Sequence, residues 1–376
     1  MTHRKHIDTI SAELESACAQ EQIHLLGTVL PHGFLMVVDL ASQRIVQVSS
    51  GIVRHWPGLQ EAAAPVGQPV TDWIEGIAAG GAGSLASLPE AYEQAMPWRP
   101  RFERSAGASA IAAATDWECL GHRRQGWALL EWLSLGADAD DGHLQSHTFA
   151  EVTRAISRLR HADHLDSFFK DCVQVVQEFS GFDRVMIYRF LPDGCGEVVA
   201  EHTAPAYRPR FLGLRFPATD IPAQARILYL SNRLRILADV EATPDTLMPP
   251  ALPDGAKLDQ SQCLLRGLSP IHLSYLRNMG VRATLTLSIV CDDMLWGLIA
   301  CHHHQPKAPP HQVRDGLRQI CELMAEVSIM RIESLSRIES AHTRLSLDRL
   351  LSQVRQALTG ARDIPSELDA WLPRLL

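Results

Sequence analysis

Arg215-Phe-Pro-Ala-Thr-Asp-Ile-Pro222, running on as Ala-Gln-Ala-Arg226, sets one carboxylate among apolar residues and two prolines. Asp favours turns and Pro222 restricts Ile221, so taken alone the run is a turn. The chain on its C-terminal side changes that reading. Tyr229 and Arg235 follow, then Arg266-Gly-Leu-Ser-Pro-Ile-His-Leu-Ser-Tyr-Leu-Arg-Asn-Met-Gly280. Beyond these come Thr284, Thr286, Trp296 and Cys301-His-His-His304. Asp220, His272 and His302 thus stand in strongly apolar sequence, with Arg235 and Arg266 nearby. A buried charge must be paired or bound to a ligand. Two arginines entering an apolar pocket can be neutralised by two ligand carboxylates, each held in bidentate fashion. The hydroxyls of Ser269, Thr284 and Thr286 can complete the hydrogen bonds of those oxygens. Thr284 and Thr286 fall two apart on a strand and face one side; His302 and His304 likewise share a face, with His303 opposite.

Each signal has a plainer reading. A lone Arg is usually a solvated surface charge, and Tyr188 fits an ordinary core. The histidine triplet reads as an edge cluster or a weak metal site. No Cys or carboxylate stands at metal-ligand spacing from it, so no metal is expected. The joint occurrence of these residues, in this order, is what carries information.

The rest of the chain sets the frame. Its 376 residues, 46% hydrophobic, are enough for more than one core. The net charge of −8 and the lack of a Lys/Arg stripe exclude a nucleic-acid surface. Residues 1–14 lack the apolar core of a signal peptide, and no apolar run reaches the roughly 18–20 residues of a membrane helix. A cytoplasmic protein without membrane partners is expected. The 8 cysteines include no CxxC pair, which argues against a zinc or redox-dithiol site. Most read as small buried hydrophobes in a reducing compartment. Cys18 differs, because it lies in a polar stretch where burial explains little.

Alternation predicts strands over 33–40, 44–49 and 126–133, which with a Gly/Ala/Pro-rich stretch at 62–87 make one small α+β domain. A small acidic linker follows at 136–142. A helical pattern over 149–179 opens a second domain, with strands at 184–190, 197–201, 283–290 and 295–302. Pro244, Pro249, Pro250, Pro253 and Gly255 make 242–257 an irregular loop. Residues 317–359 contain neither Gly nor Pro and place Ile320, Leu323, Val327 and Met330 at 3–4–3 spacing. A helix of roughly 60 Å follows, suited to a spine or a dimer seam. Residues 363–376 begin another amphipathic segment, as if a third domain started there.

The runs 216–226 (FPATDIPAQAR), 269–281 (SPIHLSYLRNMGV) and 295–303 (LWGLIACHH) together closely resemble the PAS–GAF pair of bacteriophytochromes. The similarity spans about Cys18 to about Met330. It implies an α+β fold: a PAS domain over 23–137 and a GAF domain over 145–315, each an antiparallel sheet with flanking helices. A figure-of-eight knot would join them. An N-terminal extension over 1–22, a long linking helix over 316–360 and the start of a PHY domain over 361–376 complete the organisation.

The resemblance also implies a linear tetrapyrrole, biliverdin, in the GAF pocket, joined by a thioether to Cys18. That residue stands upstream of the PAS domain, shortly before Ile23-His24 and Pro31-His32-Gly33. Members that attach the pigment in the GAF domain use a cysteine immediately before the pocket histidine, and here that place is Ile271. A thiolate is a soft nucleophile suited to a ring A vinyl group. Cys263 is the rival attachment site. By position, the Asp220 carbonyl faces the pyrrole N–H groups beside Ile221, and its carboxylate meets the PHY tongue. His272 lies by the pyrrole rings. Arg235 and Arg266 hold the propionates with Ser269, Thr284 and Thr286, and His302 bonds the D-ring carbonyl. Tyr188, Phe216, Tyr229 and Tyr275 cage ring D, with Met186 close by. The implied function is red/far-red light sensing by Z/E isomerisation at ring D.

The implied partners are the bilin, a second copy through GAF and spine helices, and a downstream signalling domain or response regulator. A histidine kinase is the common output, but no kinase region lies in these residues, so the chain itself is not expected to be an enzyme. Thr219, a mild change beside Asp220, departs from the family pattern, as do Leu26 and Leu30, which touch the local fit of the knot. Arg282 sits where a small residue is common and could add a charge near the propionates. A PAS–GAF sensor of another small ligand would not need Cys18 and both arginines. A GAF-type methionine sulfoxide reductase would need paired GAF cysteines, which Cys195, Cys263, Cys291 and Cys301 do not form.

Overall fold

The structure is a computed structural model of the chain, describing residues 21–56, 59–73, 85–90, 117–134, 142–205, 207, 209–307 and 317–360. Cys18, most of the acidic linker and residues 361–376 lie outside the described residues.

The first sheet is built on β2 (Gly33–Asp39), whose six leading residues are all buried. Alternation explains this continuous apolar run. Phe34, Met36 and Val38 enter one core, while Leu35 and Val37 enter the other. The remaining strands are β1 (Thr28–Val29), β3 (Ile45–Ser49), β4 (Trp117–Arg124), β5 (Trp127–Ser134) and β10 (Asp245–Met248), in the order β1-β10-β3-β2-β5-β4. A short helix, α1 (Ile52–His55), follows β3.

The expectation of a wholly irregular 242–257 loop is corrected here. β10 inserts between β1 and β3, pairing Leu247 with Ser49 and Thr246 with Thr28. Four residues between prolines carry no periodic signal of their own; the partner strands make them a strand. The chain that follows wraps the other side of residues 24–30. Leu30 N–H donates to Leu265 O at 2.7 Å, and Gly267 N–H to Thr28 O at 2.8 Å. Gln260, fully buried, donates through Nε2 to Thr28 O and accepts from Gly27 N–H. Residues 24–30 are thus held on both edges by one loop of the second domain, as a threaded segment would be. Gly267 must be glycine, because a Cβ there would overlap the Thr28 side chain.

The second sheet contains β6 (Arg184–Phe190), β7 (Gly196–Thr203), β8 (Arg215–Phe216), β9 (Leu234–Leu237), β11 (Ala283–Cys291) and β12 (Met294–His303). Their order is β8-β7-β6-β12-β11-β9. In place of one helical stretch over 149–179 there are two helices, α2 (Gly142–Arg160) and α3 (Leu165–Ser180). α3 is capped by reciprocal His164–Ser167 hydrogen bonds and closed by Gly181 at φ 62°. Two short helices, α4 (Ala223–Ser231) and α5 (Pro270–Asn278), flank β9 and β10 in sequence. α5 starts with Ser269 capping the Ile271 N–H and Pro270 in the first turn.

The last helix, α6 (Leu317–Gly360), has 44 residues, about 66 Å in length. The 3–4–3 stripe does not act as one face. Val327 is buried with Met324, Ile332 and Leu335 against α3 and β11, while Leu323 and Met330 face outward. One hydrophobic cluster runs from Leu35 and Leu129 of the first sheet to Leu287 of the second and Met324 of α6, so the two sheets share a core.

Candidate functional site

The second sheet assembles the site by register. Met186, Ala300, Thr286 and Arg235 are successive cross-strand partners on β6, β12, β11 and β9. Arg184, His302, Thr284 and Leu237 form the adjacent row. Directly opposed residues share a face, so both rows point the same way. The 216–222 turn, α4 and α5 roof this face. Arg226 ties the turn down, donating to the carbonyls of Ile221, Gly194 and Ala218.

Between sheet and roof lies a cleft of about 290 Å³, open to a second chamber of about 100 Å³. Arg235, Arg266, Ser269, Ile271 and Ile23 line the larger space. Met186, Tyr188, Phe216, His302, Phe211 and Leu298 line the smaller. Asp220, Ile221, Tyr229, His272, Tyr275, Thr284 and Thr286 border both. The smaller chamber is aromatic. The Tyr188 ring lies 5.4 Å from Phe190 and 6.0 Å from Phe216, and His272 stacks on Tyr275 at 6.3 Å. Gly196 lets Tyr188 in, since a Cβ there would overlap the Tyr188 ring.

The larger chamber is strongly basic. Arg266 is 5% exposed, and among the described residues neither it nor Arg235 forms an ion pair. Desolvation, then the neighbouring Arg235, pushes Arg266 down to about 9. Arg235 is lowered by desolvation too. Its guanidinium donates to the carbonyls of Cys263, Leu264, Arg266 and Gly267, while Arg266 gives one bond to Ile23 O at 2.9 Å. Arg266 Nε and His302 Nδ1 are buried without a hydrogen-bond partner among the described residues. Ser269 Oγ donates to the Glu21 carboxylate, and the Tyr275 hydroxyl donates to Asp220 Oδ2 at 3.3 Å. Burial raises Tyr229, with Arg235, Arg266 and a hydrogen bond with Thr286 opposing. An elongated anion with two carboxylates, a carbonyl at one end and a flat apolar body meets these donors and surfaces.

Desolvation first, then Arg184 and His272, lowers His302 to about 3, and desolvation with Arg235 lowers His272 to about 4. His32 and His122 are lowered in the same way, to about 3 and about 4. These histidines fold neutral. A base whose folded pKa lies below its unfolded value of 6.5 adds stability above that value and loses it as pH falls. Stability of the ligand-free chain is therefore expected to drop between pH 6.5 and pH 4. The slope is about 1.4 kcal/mol per pH unit for each such histidine. Urea midpoints at pH 7 and pH 5 check this, and His302→Gln should flatten the dependence; equal midpoints would rule it out.

Comparison with known proteins agrees with this geometry. A GAF domain family matches residues 164–329 and a PAS fold family matches 18–95. The bacteriophytochrome of Xanthomonas campestris pv. campestris (strain 8004) is 36% identical over 349 residues, 91% of this chain and 50% of that protein. The bacteriophytochrome of Pseudomonas aeruginosa is 34% identical over 342 residues, 88% of this chain and 43% of that one. The crystal structure of the chromophore-binding domain of an unusual bacteriophytochrome from R. palustris superposes with a TM-score of 0.70 at 33% identity. It covers 85% of this chain and 99% of that one. The chain belongs to the bacteriophytochrome family. It spans about half the length of the curated relatives it matches. Among the described residues, no helix is long and apolar enough to cross a membrane.

Within this bacteriophytochrome chain, the pocket residues named from sequence line the cleft or its side chamber, and Cys18 lies outside the described residues. Other expectations change. His303 and His304 do not alternate: β12 ends at His303, and both side chains turn to Asp183. A carboxylate partner for the triplet therefore exists, 120 residues away in sequence. Arg282 lines neither chamber and pairs with Asp239 at 2.8 Å. Cys263 is fully buried, lines neither chamber, and desolvation followed by Glu131 raises its thiol well above the usual value.

Two acids escaped sequence reading. Glu131 on β5, fully buried, accepts Leu264 N–H at 3.0 Å and Leu265 N–H at 2.6 Å. Glu201 pairs with buried Arg184 at 3.0 Å and accepts the N–H groups of Phe211 and Leu212. Each looks like an ordinary surface acid on an alternating strand. Only the fold shows which face it takes.

Proposed function

We propose that this chain is the chromophore-binding part of a red/far-red light receptor, holding biliverdin through a thioether to Cys18. One observation carries the reading: Arg266, buried, and Arg235, half-buried, have no ion-pair partners among the described residues and share a cleft with aromatic walls. Such charges call for an anionic ligand with spaced carboxylates. The tetrapyrrole supplies the light absorption and the Z-to-E turn at ring D. The chain's own residues do the rest. Arg266 and Arg235, with Ser269, Thr284 and Thr286, fix the propionate end. The Asp220 carbonyl and His272 serve the central pyrroles. His302 Nδ1 offers a hydrogen bond to ring D, which Tyr188, Phe216, Tyr229, Tyr275 and Met186 enclose. Neutral His302 and His272 keep further positive charge out of the pocket.

In this reading 23–137 and 145–315 act as PAS and GAF units, 316–360 links them to a PHY domain beginning near 361, and 1–22 carries the attachment cysteine. α6, with Leu345, Leu347 and Leu351 exposed, serves as spine and dimer seam to a second copy, and the output lies in a separate signalling domain or response regulator. The protein works in the cytoplasm. Burial and a raised thiol weigh against Cys263 as the attachment point.

Co-expression with a heme oxygenase tests the reading. The expected product absorbs near the red edge and fluoresces with zinc on a denaturing gel, and Cys18→Ser loses the covalent band. A colourless wild type would overturn the receptor reading. Covalent pigment retained in Cys18→Ser would overturn the attachment alone.

A further inference from the structure

The histidine triplet ends outside the cleft. His302 faces the smaller chamber, but His303, the last residue of β12, and His304 beyond it meet Asp183, one residue before β6. Strand pairing fixes this: His302 stands opposite Arg184, so the residues just beyond each strand end fall together.

One carboxylate oxygen gathers the cluster. His304 Nδ1 hydrogen-bonds Asp183 Oδ2, and the His304 backbone N–H donates to the same oxygen at 3.0 Å. His303 Nδ1 lies 2.6 Å from that oxygen yet has no hydrogen-bond partner among the described residues. Two ring nitrogens and a carboxylate oxygen are thus gathered at one place with their hydrogen-bond pairing incomplete. The Tyr207 hydroxyl is also buried without a partner among the described residues, and its ring lies 5.9 Å from that of His304. Lys307, a neighbouring cation, is held by Gly181 O at 3.3 Å and by the Phe182 ring.

We propose that Asp183, His303 and His304 bind a divalent zinc-class metal ion at the end of the β6–β12 pair, leaving a further position to water or Tyr207. Two imidazole nitrogens and one carboxylate oxygen form a donor set zinc accepts, in tetrahedral geometry at about 2.0–2.2 Å. Their ligand atoms already lie within 4.8 Å of one another. Binding would spread them to about 3.3 Å, the edge of such a tetrahedron. His304, half exposed, has room to move outward. The ion would clamp the strand end one residue from His302, and so stiffen one wall of the ring D chamber.

The test uses the full chain, purified without a histidine tag or bilin and treated with chelator. Titration with Co²⁺, followed by its visible d–d bands, and displacement by Zn²⁺ read stoichiometry and affinity. Wild type is expected to bind one equivalent, and His304→Ala and Asp183→Asn each to weaken binding more than about tenfold. Zn²⁺ should raise the melting temperature of wild type but not of His304→Ala. Because His304 is half exposed, that variant keeps the fold, which far-UV circular dichroism confirms, even if Asp183→Asn does not. Absence of saturable binding, or unchanged binding in His304→Ala, would overturn the proposal.

Discussion

Replacing Glu131 by Ala is expected to destabilise the chain by about 2–6 kcal/mol. The carboxylate belongs to β5 of the first sheet, but its oxygens serve the N–H groups of Leu264 and Leu265 in the second domain. Removal leaves two buried donors without an acceptor, each costing about 1–3 kcal/mol. The effect should reach the cleft. The four carbonyls that receive Arg235 belong to Cys263, Leu264, Arg266 and Gly267, on the segment that Glu131 holds. Glu131→Ala should therefore lower the urea midpoint and also slow pigment uptake in the fraction that stays folded. Glu131→Gln keeps one acceptor oxygen and should lose less, about 1 kcal/mol. A loss below about 1 kcal/mol for the alanine variant would show that solvent reaches those amides.

Arg266→Met should act in opposite directions on fold and ligand. Without ligand, Arg266 is a desolvated cation with Arg235 for a neighbour and one bond to Ile23 O. Replacing an uncompensated buried charge by an apolar side chain of similar volume is expected to stabilise the ligand-free chain by about 1–2 kcal/mol. The same change removes the strongest partner for a ligand carboxylate. A charge-assisted hydrogen bond contributes about 1.5–3 kcal/mol, so affinity for biliverdin should fall roughly 10- to 100-fold. Thermal melts of the pigment-free chain and equilibrium pigment titrations of Cys18→Ser backgrounds, where binding is reversible, measure the two effects separately. A variant less stable without pigment would mean that the Ile23 hydrogen bond outweighs desolvation. Unchanged affinity would remove Arg266 from the propionate site.

The local patterns that could be read were those the backbone imposes by itself. Alternation marked β2, β6 and β12, and the absence of Gly and Pro marked α6. Short elements were not legible. β9 and β10 have four residues each, and too few positions repeat to set a period. β4 was missed because Gly121, His122, Arg123 and Arg124 break its apolar alternation, although His122 is buried. The α2–α3 break hid inside a continuous amphipathic pattern, since four turn residues shift the phase little. The pocket was legible from unusual residues in apolar runs, helped by resemblance. Its supports were not: Glu131 and Glu201 look like solvated acids until the sheets are packed.

By itself the sequence determined the identity of the cleft's chemical groups, because arginines, histidines and hydroxyls among apolar residues have few other uses. It also determined that Asp220 sits in a turn and that α6 runs unbroken. The tertiary structure alone decided how those groups are supplied and restrained. Register set Met186, Ala300, Thr286 and Arg235 in one row. Packing of the first domain against the 263–267 segment placed Ile23 O against Arg266 and Glu131 beneath the loop that holds Arg235. Strand ends brought Asp183 to His303 and His304. Apart from that row, these are contacts between residues 100 or more apart in the chain. Local pattern carries no signal for them, because their partners are fixed only when the whole core closes.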